Sequence, residues 1–171
     1  EIGLGIGYER DFRELGEVEI LGFYYNDELT DSDVTYLQTN LTDLGTGAGY
    51  GTSTSRTKDR MGINAGYHLE SYHLYRALAL DEAMFPKKGD GLYLFYQWIA
   101  GTDGAMDRTG WYFQASYRIS NPRRWHYLTS IEPVVRYGEL GVDLDHVSTI
   151  PMTWSRRHLL VGAILGIVKG V

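Results

Sequence analysis

The sequence of 171 residues contains no cysteine, which excludes a disulfide framework, thiolate metal ligands and a cysteine nucleophile. It also lacks any uninterrupted apolar run of about 18 residues, so it offers no candidate transmembrane helix. Acidic residues outnumber basic ones, with 22 Asp and Glu against 16 Lys and Arg, and the formal net charge is −6. Because no basic surface is expected, the composition does not indicate a nucleic-acid partner.

Two residue types are abundant, with 21 glycines and 14 tyrosines in the chain. Glycine lets the backbone turn sharply or approach a neighbour closely, and tyrosine favours extended strands. A chain of this length can form one domain of ordinary size. The composition therefore predicts a turn-rich β protein.

Three long stretches near the C-terminal end alternate between two kinds of residue, which is the period of a β-strand. One side of these predicted strands carries Trp111, Phe113, Ala115, Tyr117 and Ile119, then Ile131, Pro133, Val135 and Tyr137, then Leu159, Val161, Ala163, Leu165 and Ile167. The reverse side of the first two carries Arg, Glu, Gln and Ser. The three strands are therefore predicted to share one continuous apolar face.

An apolar strand face must be covered either by protein core or by lipid. Strands of soluble sandwiches usually run about five or six residues, whereas a tilted strand that crosses a bilayer needs about ten. These three run about ten residues. Aromatic residues collect near their ends, at Trp111, Tyr117, Tyr137 and Trp154, as interfacial girdles do. The pattern favours lipid.

The rest of the chain supplies further strands with shorter or less regular alternation. Strands are predicted over residues 1–9, 17–25, 61–69, 72–81 and 91–101, with loops over 102–109, 121–124 and 141–155. Residues 26–58 are predicted to be a long loop region, within which Val34 to Leu44 is a further candidate strand. The fold class is all-β: residues 1–171 form one segment of an antiparallel up-and-down transmembrane β-barrel, with about eight or nine strands present.

Part of the chain resembles a known family. The stretches Gly110–Ile119, Ile131–Tyr137 and Pro151–Arg157, with the Leu-Leu-Val-Gly strand that begins at Leu159, resemble the C-terminal part of porins of the phosphate-selective O/P group of Gram-negative outer membranes. The resemblance covers about the last third of the chain, and alternation of this kind is common to lipid-facing strands.

The resemblance implies a trimeric pore of about sixteen strands with short periplasmic turns and long outer loops. The chain would supply about half of such a wall, so we expect it to be a fragment of a larger barrel. It also implies a location in the bacterial outer membrane, with the lipid bilayer, lipopolysaccharide and small solutes as partners. Of the family's inward-facing arginines, Arg136 is the one that can be placed in this sequence.

The reverse faces of the strands provide the candidate site. If they line an aqueous lumen, their polar side chains set the field that a passing solute meets. The candidate pore-lining residues are Glu17, Glu19, Asn64, His68, Gln114, Arg118, Glu132 and Arg136. The alternative is that these residues pair with one another inside a barrel wall or plug it.

Other motifs are weaker. The glycines of residues 45–51 have a period of two, which does not match a phosphate-binding loop. Acidic residues at 27–33, and the pair Asp103 and Asp107, have the ligand type that Ca²⁺ prefers, but a solvated loop is the commoner explanation. Ser155 and His158 lie in no nucleophile elbow, and His68 and His73 have no third ligand at metal-site spacing. We therefore predict no catalysis, no metal and no cofactor.

Three functions from different classes remain open. The leading one is a porin-type channel for passive diffusion of small hydrophilic solutes, anions included. The second is a small closed outer-membrane barrel of about eight strands that acts as an enzyme or adhesin. The third is a soluble β-sandwich that binds carbohydrate through exposed Tyr and Trp.

Overall fold

Antiparallel strands make up most of the fold. The computed structural model describes residues 2–41, 55–71, 89–120, 127–144 and 154–167. The strands are β1 (Ile2–Asp11), β2 (Glu17–Glu28), β3 (Thr57–Glu70), β4 (Gly91–Asp103), β5 (Met106–Ser120), β6 (Leu128–Asp143) and β7 (Trp154–Ile167). They form one seven-stranded sheet in chain order, with every neighbouring pair antiparallel. The sheet is not closed into a barrel, and β1 and β7 are its two edges.

The register of the three C-terminal strands confirms their shared apolar face. Phe113 of β5 lies opposite Tyr137 of β6, which in turn lies opposite Leu159 of β7. Two residues further along each strand, Val135 is flanked in the same way by an alanine of β5 and a valine of β7. Side chains two apart lie on the same side of a strand, so these rows extend into one surface.

This surface continues across all seven strands, and we call it the apolar face. One of its cross-strand rows is Tyr8, Ile20, Ala65, Tyr96, Phe113, Tyr137 and Leu159. Its side chains remain in contact with solvent: Ile6 is 80% exposed and Val161 is 72% exposed. No second layer of described residues therefore covers the apolar face.

The helix α1 (Asp31–Leu41) begins at a capping box. The Thr30 backbone N–H donates to Asp33 Oδ2 at 3.0 Å, and the Asp33 backbone N–H donates to Thr30 Oγ1 at 3.2 Å. These reciprocal bonds satisfy two backbone donors that the first turn would otherwise leave free. Arg56 forms an ion pair with Asp31, which ties the start of the helix to the start of β3.

The small hydrophobic core lies on the opposite side of the sheet from the apolar face. Ala105, Met106, Val142 and Leu144 are buried together, and Leu37 of α1 packs against them. Met106 and Val142 belong to the same face as Gln114 and Arg136, because their spacing along β5 and β6 is even. Helix α1 therefore folds over one end of the polar side of the sheet. No helix among the described residues is long and apolar enough to cross a membrane.

Several boundaries differ from those predicted. The candidate strand Val34 to Leu44 is wrong, because residues 31–41 form α1. The predicted loop region 26–58 is also shorter, since β2 continues to Glu28 and β3 begins at Thr57. The predicted loop 102–109 is mostly strand, because β4 and β5 meet at a tight turn where Gly104 has φ 65°.

The predicted strand over residues 72–81 falls within residues 72–88, outside the described part of the chain. β3 and β4 pair directly with each other, so the described residues contain seven strands where about eight or nine were expected. Four strands, β3 to β6, separate the segment after β2 from the segment after β6. Both segments therefore leave the sheet at the same end, where α1 also lies.

Gly62 on β3 shows how closely the sheet is packed on its polar side. A Cβ atom at this position would lie 2.6 Å from Phe23 Cζ and 2.7 Å from the Trp98 carbonyl oxygen. The carbonyl cannot move away without disturbing the β3–β4 ladder. The Phe23 ring therefore lies against bare backbone, as aromatic side chains do at strand glycines.

We predict that Gly62→Ala lowers the free energy of unfolding by about 1–3 kcal/mol, because the added methyl group overpacks this site. The matched control is Gly5→Ala on β1, whose Cβ would meet nothing closer than 3.7 Å. Denaturant titration of both variants tests this. Equal stability of the two variants would contradict the close approach of Phe23 to β3.

Candidate pore-lining face

The face opposite the apolar face, which we call the polar face, carries all eight predicted site residues. They lie on β2, β3, β5 and β6, at positions that the register places on one side of the sheet. One cross-strand row runs Glu9, Glu19, Gly66, Phe95, Gln114, Arg136 and Leu160, and the next runs Asp11, Glu17, His68, Tyr93, Ser116, Val134 and Gly162. The alternation along each strand therefore gathers residues from distant parts of the chain.

A groove of about 590 Å³ runs along the polar face, and we call it the central groove. The predicted residues that line it are Glu17, Glu19, His68, Gln114, Glu132 and Arg136. Asn64 and Arg118 lie on the same face outside this lining. Asn64 accepts a hydrogen bond from Gln97 Nε2 at 2.7 Å, which joins β3 to β4, and Arg118 is exposed.

Arg136 is held in place by neutral side chains of β5. Its Nε donates to Gln114 Oε1 at 2.9 Å, and its guanidinium carbon lies 4.5 Å from the centre of the Tyr112 ring. The ring face attracts the cation, and the amide oxygen fixes its orientation. The charge of Arg136 is therefore positioned on the groove wall, and within the described residues no carboxylate pairs with it.

Glu132, on the same strand, has its own neutral partner. Ser116 Oγ donates to Glu132 Oε1 at 2.6 Å. This hydrogen bond holds the Glu132 side chain against β5. Both charged residues of β6 that line the groove are thus anchored by side chains of β5.

Aromatic rings form part of the groove between its charged residues. The His68 imidazole stacks on the Tyr93 ring with centroids 4.1 Å apart and planes 7° from parallel. His68 Nε2 is buried without a hydrogen-bond partner in the described part of the chain. Phe95 and Tyr112 lie beside each other with centroids 5.6 Å apart.

Three carboxylates line the groove on the opposite flank from Arg136. Glu9 on β1 and Glu17 and Glu19 on β2 are all exposed. None of the three makes a hydrogen bond or an ion pair to another described residue. Negative charge therefore lies along β1 and β2, whereas the positive charge of the groove wall comes from β6.

Other residues that line the groove were not predicted from the sequence, among them Glu9, Tyr93, Phe95 and Tyr112. The signal was present in the predicted strand over residues 91–101, in which Leu92, Leu94, Tyr96 and Trp98 alternate with other residues and share one side. Residues between them must point the other way. Tyr93 and Phe95 were not predicted because the candidate pore-lining residues were chosen among charged, amide and imidazole side chains, and aromatic rings were not considered.

A second charged cluster lies at the end of the polar face that α1 covers. Asp103 is buried, accepts from Arg60 Nη2 at 2.7 and 3.0 Å, and also pairs with Arg108. Lys58 pairs with Asp27 at 3.5 Å. Because each cation has an acidic partner, this cluster fastens strands together and adds little net charge.

A pocket of about 200 Å³ separates this cluster from α1. Asp33, Tyr36 and Leu37 line it from the helix side, and Lys58 and Arg108 are among the residues that line it from the sheet. The hydroxyl and backbone N–H of Thr30 hold the pKa of the Asp33 carboxyl below its usual value of 3.8. Asp33 is therefore ionised at neutral pH, as the helix N-terminus favours.

Within the described ranges, no three carboxylate or imidazole side chains come close enough together to hold a metal ion. No family model, curated protein or solved structure matches this chain. The function is therefore inferred from the geometry of the two faces of the sheet.

We predict that Asp103→Asn lowers the free energy of unfolding by about 2 kcal/mol, because it leaves two guanidinium groups without their shared anion. The partial exposure of both arginines keeps the loss below that of a fully buried pair. Denaturant titration measures the effect.

The control for this experiment is Asp107→Asn, which makes the same change at an exposed carboxylate bonded to the Thr102 hydroxyl. It should cost less than about 0.5 kcal/mol. If both variants lost the same stability, the Asp103 cluster would have no special structural role.

Proposed function

We propose that this chain forms part of the wall of an outer-membrane channel through which small hydrophilic solutes diffuse passively. The observation that carries the proposal is the contrast between the two faces of the sheet. The apolar face stays exposed across seven strands, while the polar face carries a groove lined by charged, amide and aromatic side chains. Acyl chains would cover the first face and water would fill the second.

Exposure of the apolar face to water would raise the free energy of the folded protein. Soluble monomers rarely present contiguous apolar patches larger than about 300–600 Å². Leu4, Ile6, Leu159 and Val161 are each more than two-thirds exposed, and they are only the edge members of the apolar face. A lipid environment removes this cost, because hydrocarbon chains solvate apolar side chains without ordering water.

Strand length also supports a membrane-spanning wall. The strands contain from 10 residues in β1 to 16 in β6. About 9–11 residues are needed to cross the hydrocarbon layer at a tilt of about 45°. Every strand therefore meets this length, and the longer ones extend past the hydrocarbon on at least one side.

The two open edges bear on how such a wall would close. In a bilayer, unpaired backbone groups along β1 and β7 would each cost several kcal/mol, so both edges must find partners. The sheet contains an odd number of strands, and the strand direction alternates from each strand to the next. β1 and β7 therefore run in the same direction. All-antiparallel closure therefore requires an odd number of additional strands, giving the even total usual in bacterial barrels.

A larger barrel of about sixteen strands, as the family resemblance implies, satisfies this condition. In the proposal the partners of the wall are the lipid bilayer, lipopolysaccharide and, within a homotrimer, other copies of the same barrel. The chain performs no catalysis and uses no cofactor in this role. Solutes move down their gradients past the polar face.

We predict that Val161→Arg destabilises the membrane-inserted protein by about 2–4 kcal/mol, because it places a charge against acyl chains. The adjacent Leu160→Arg is the matched control. Leu160 is also on the edge strand and is 49% exposed, but it lies on the polar face, where water would hydrate the new charge. Unfolding in lipid vesicles should separate the two variants.

If both faces of the sheet were exposed to water, both arginines would be tolerated equally. Equal stability of Val161→Arg and Leu160→Arg would therefore overturn the membrane assignment.

Conductance tests the channel itself. The complete protein, reconstituted in a planar bilayer, should produce stepwise increases of steady ionic current as channels insert. A closed barrel of about eight strands, filled by its own side chains, would insert without passing such current. Insertion without conductance would leave a membrane wall but remove the transport function.

A further inference from the structure

We propose that the central groove binds and orients short zwitterionic peptides, with the ammonium group beside β1 and β2 and the carboxylate at Arg136. This inference rests on the proposed channel and names the solute class that its wall favours. It comes from the separation of charge across the groove, from the span between the two flanks and from the aromatic side chains between them.

The two flanks of the groove differ in charge, because three carboxylates line the first flank, whereas the second carries a guanidinium group and one carboxylate. Glu9, Glu17 and Glu19 line the β1–β2 flank, and Arg136 lines the flank formed by β6. Glu132, also on β6, is held by the Ser116 hydroxyl. The first three carboxylates have no partner among the described residues, and Arg136 is bonded to a neutral amide. Their fields therefore act on whatever enters the groove.

Glu19 and Arg136 belong to the same cross-strand row, which gives the distance between the flanks. Four inter-strand steps separate β2 from β6, so their backbones are about 19 Å apart along the sheet. Arg136 extends from β6 towards Gln114 on β5, one strand closer to β2. An extended tripeptide spans about 10 Å, so it covers most of the distance that remains.

The middle of this row leaves room for a solute. Gly66 has no side chain, and a Cβ there would meet nothing closer than Glu19 Cβ at 3.8 Å. Beyond it, Phe95 and Tyr112 present rings that can pack against peptide planes and apolar side chains. The stacked pair of His68 and Tyr93 forms part of the neighbouring row.

A zwitterion matches this arrangement better than an ion of one sign. A simple anion would be attracted by Arg136 but repelled by the opposite flank, and a simple cation would meet the reverse. A tripeptide with free termini satisfies both flanks at once. Blocking either terminus removes one of the two attractions while leaving the size and shape of the solute nearly unchanged.

The test uses the complete protein in planar bilayers at low salt, with triglycine, N-acetyl-triglycine and triglycine amide as probes. Current fluctuations give the dissociation constant of each solute. Triglycine should bind about two- to fivefold more tightly than either blocked analogue, a ratio within the range expected of one exposed charge contact.

Two conservative variants assign the ends of the solute. Glu19→Gln should make triglycine bind no better than N-acetyl-triglycine, and Arg136→Gln should make it bind no better than triglycine amide. Glu9→Gln provides a second variant on the acidic flank if Glu19→Gln does not assemble. Controls with the same charge changes are Glu28→Gln at the end of β2 and Arg157→Gln on the apolar face, and both should keep the wild-type preference.

The outcomes separate this inference from the channel proposal. Absence of steady current would overturn the channel. Normal current with equal binding of the three solutes would overturn the zwitterion site and leave the channel intact. Loss of the preference in Glu28→Gln would show that overall charge, and not the groove, governs binding.

Discussion

The constraint on which the structure depends is the register of six antiparallel ladders. In a strand, successive side chains point to opposite faces, so a slip of one residue in any ladder would exchange an apolar row for a polar one. Phe113, Tyr137 and Leu159 share a row only because the β5–β6 and β6–β7 registers agree. Apolar and other residues alternate along all seven strands. Each ladder therefore favours the register that keeps apolar side chains in common rows, and these registers together produce the two faces.

The same register builds the polar face from interactions between neighbouring strands. Gln97 reaches Asn64 across the β3–β4 ladder, and Arg136 reaches Gln114 across the β5–β6 ladder. Each bond joins residues directly opposite each other, so each supports the pairing that produces it. A groove made in this way needs no long loop to assemble it. Its charge pattern reflects which strand each residue occupies, and the acidic flank lies on β1 and β2 because Glu9, Glu17 and Glu19 fall at their polar positions.

The sequence predicted the strands with strong alternation and failed where another signal was stronger. The strands that became β5, β6 and β7 could be recognised from their apolar rows alone. Residues 34–44 were considered as a strand, yet Val34, Leu37 and Leu41 have helical spacing, and Thr30 with Asp33 forms a capping box just before them. Residues 102–109 were predicted as a loop, but the structure has a tight turn there, in which the Gly104 backbone N–H donates to the Thr57 carbonyl of β3. Such a long-range contact cannot be derived from local pattern. The charge separation across the groove likewise required the strand order and the register, which no single stretch contains.

The position of α1 bears on the medium around the sheet. In a soluble protein with one helix and one two-faced sheet, packing the helix against the apolar side lowers the free energy of the folded state most, because it buries the largest apolar area. Here α1 packs Leu37 against Met106 and Val142 on the polar side, next to the Asp103 cluster. The helix has few apolar residues, and its capped, acidic first turn suits a hydrated environment. The chain therefore places its one described helix where water is expected and leaves the apolar face uncovered, an arrangement that lowers the free energy when lipid, and not protein, lies against that face.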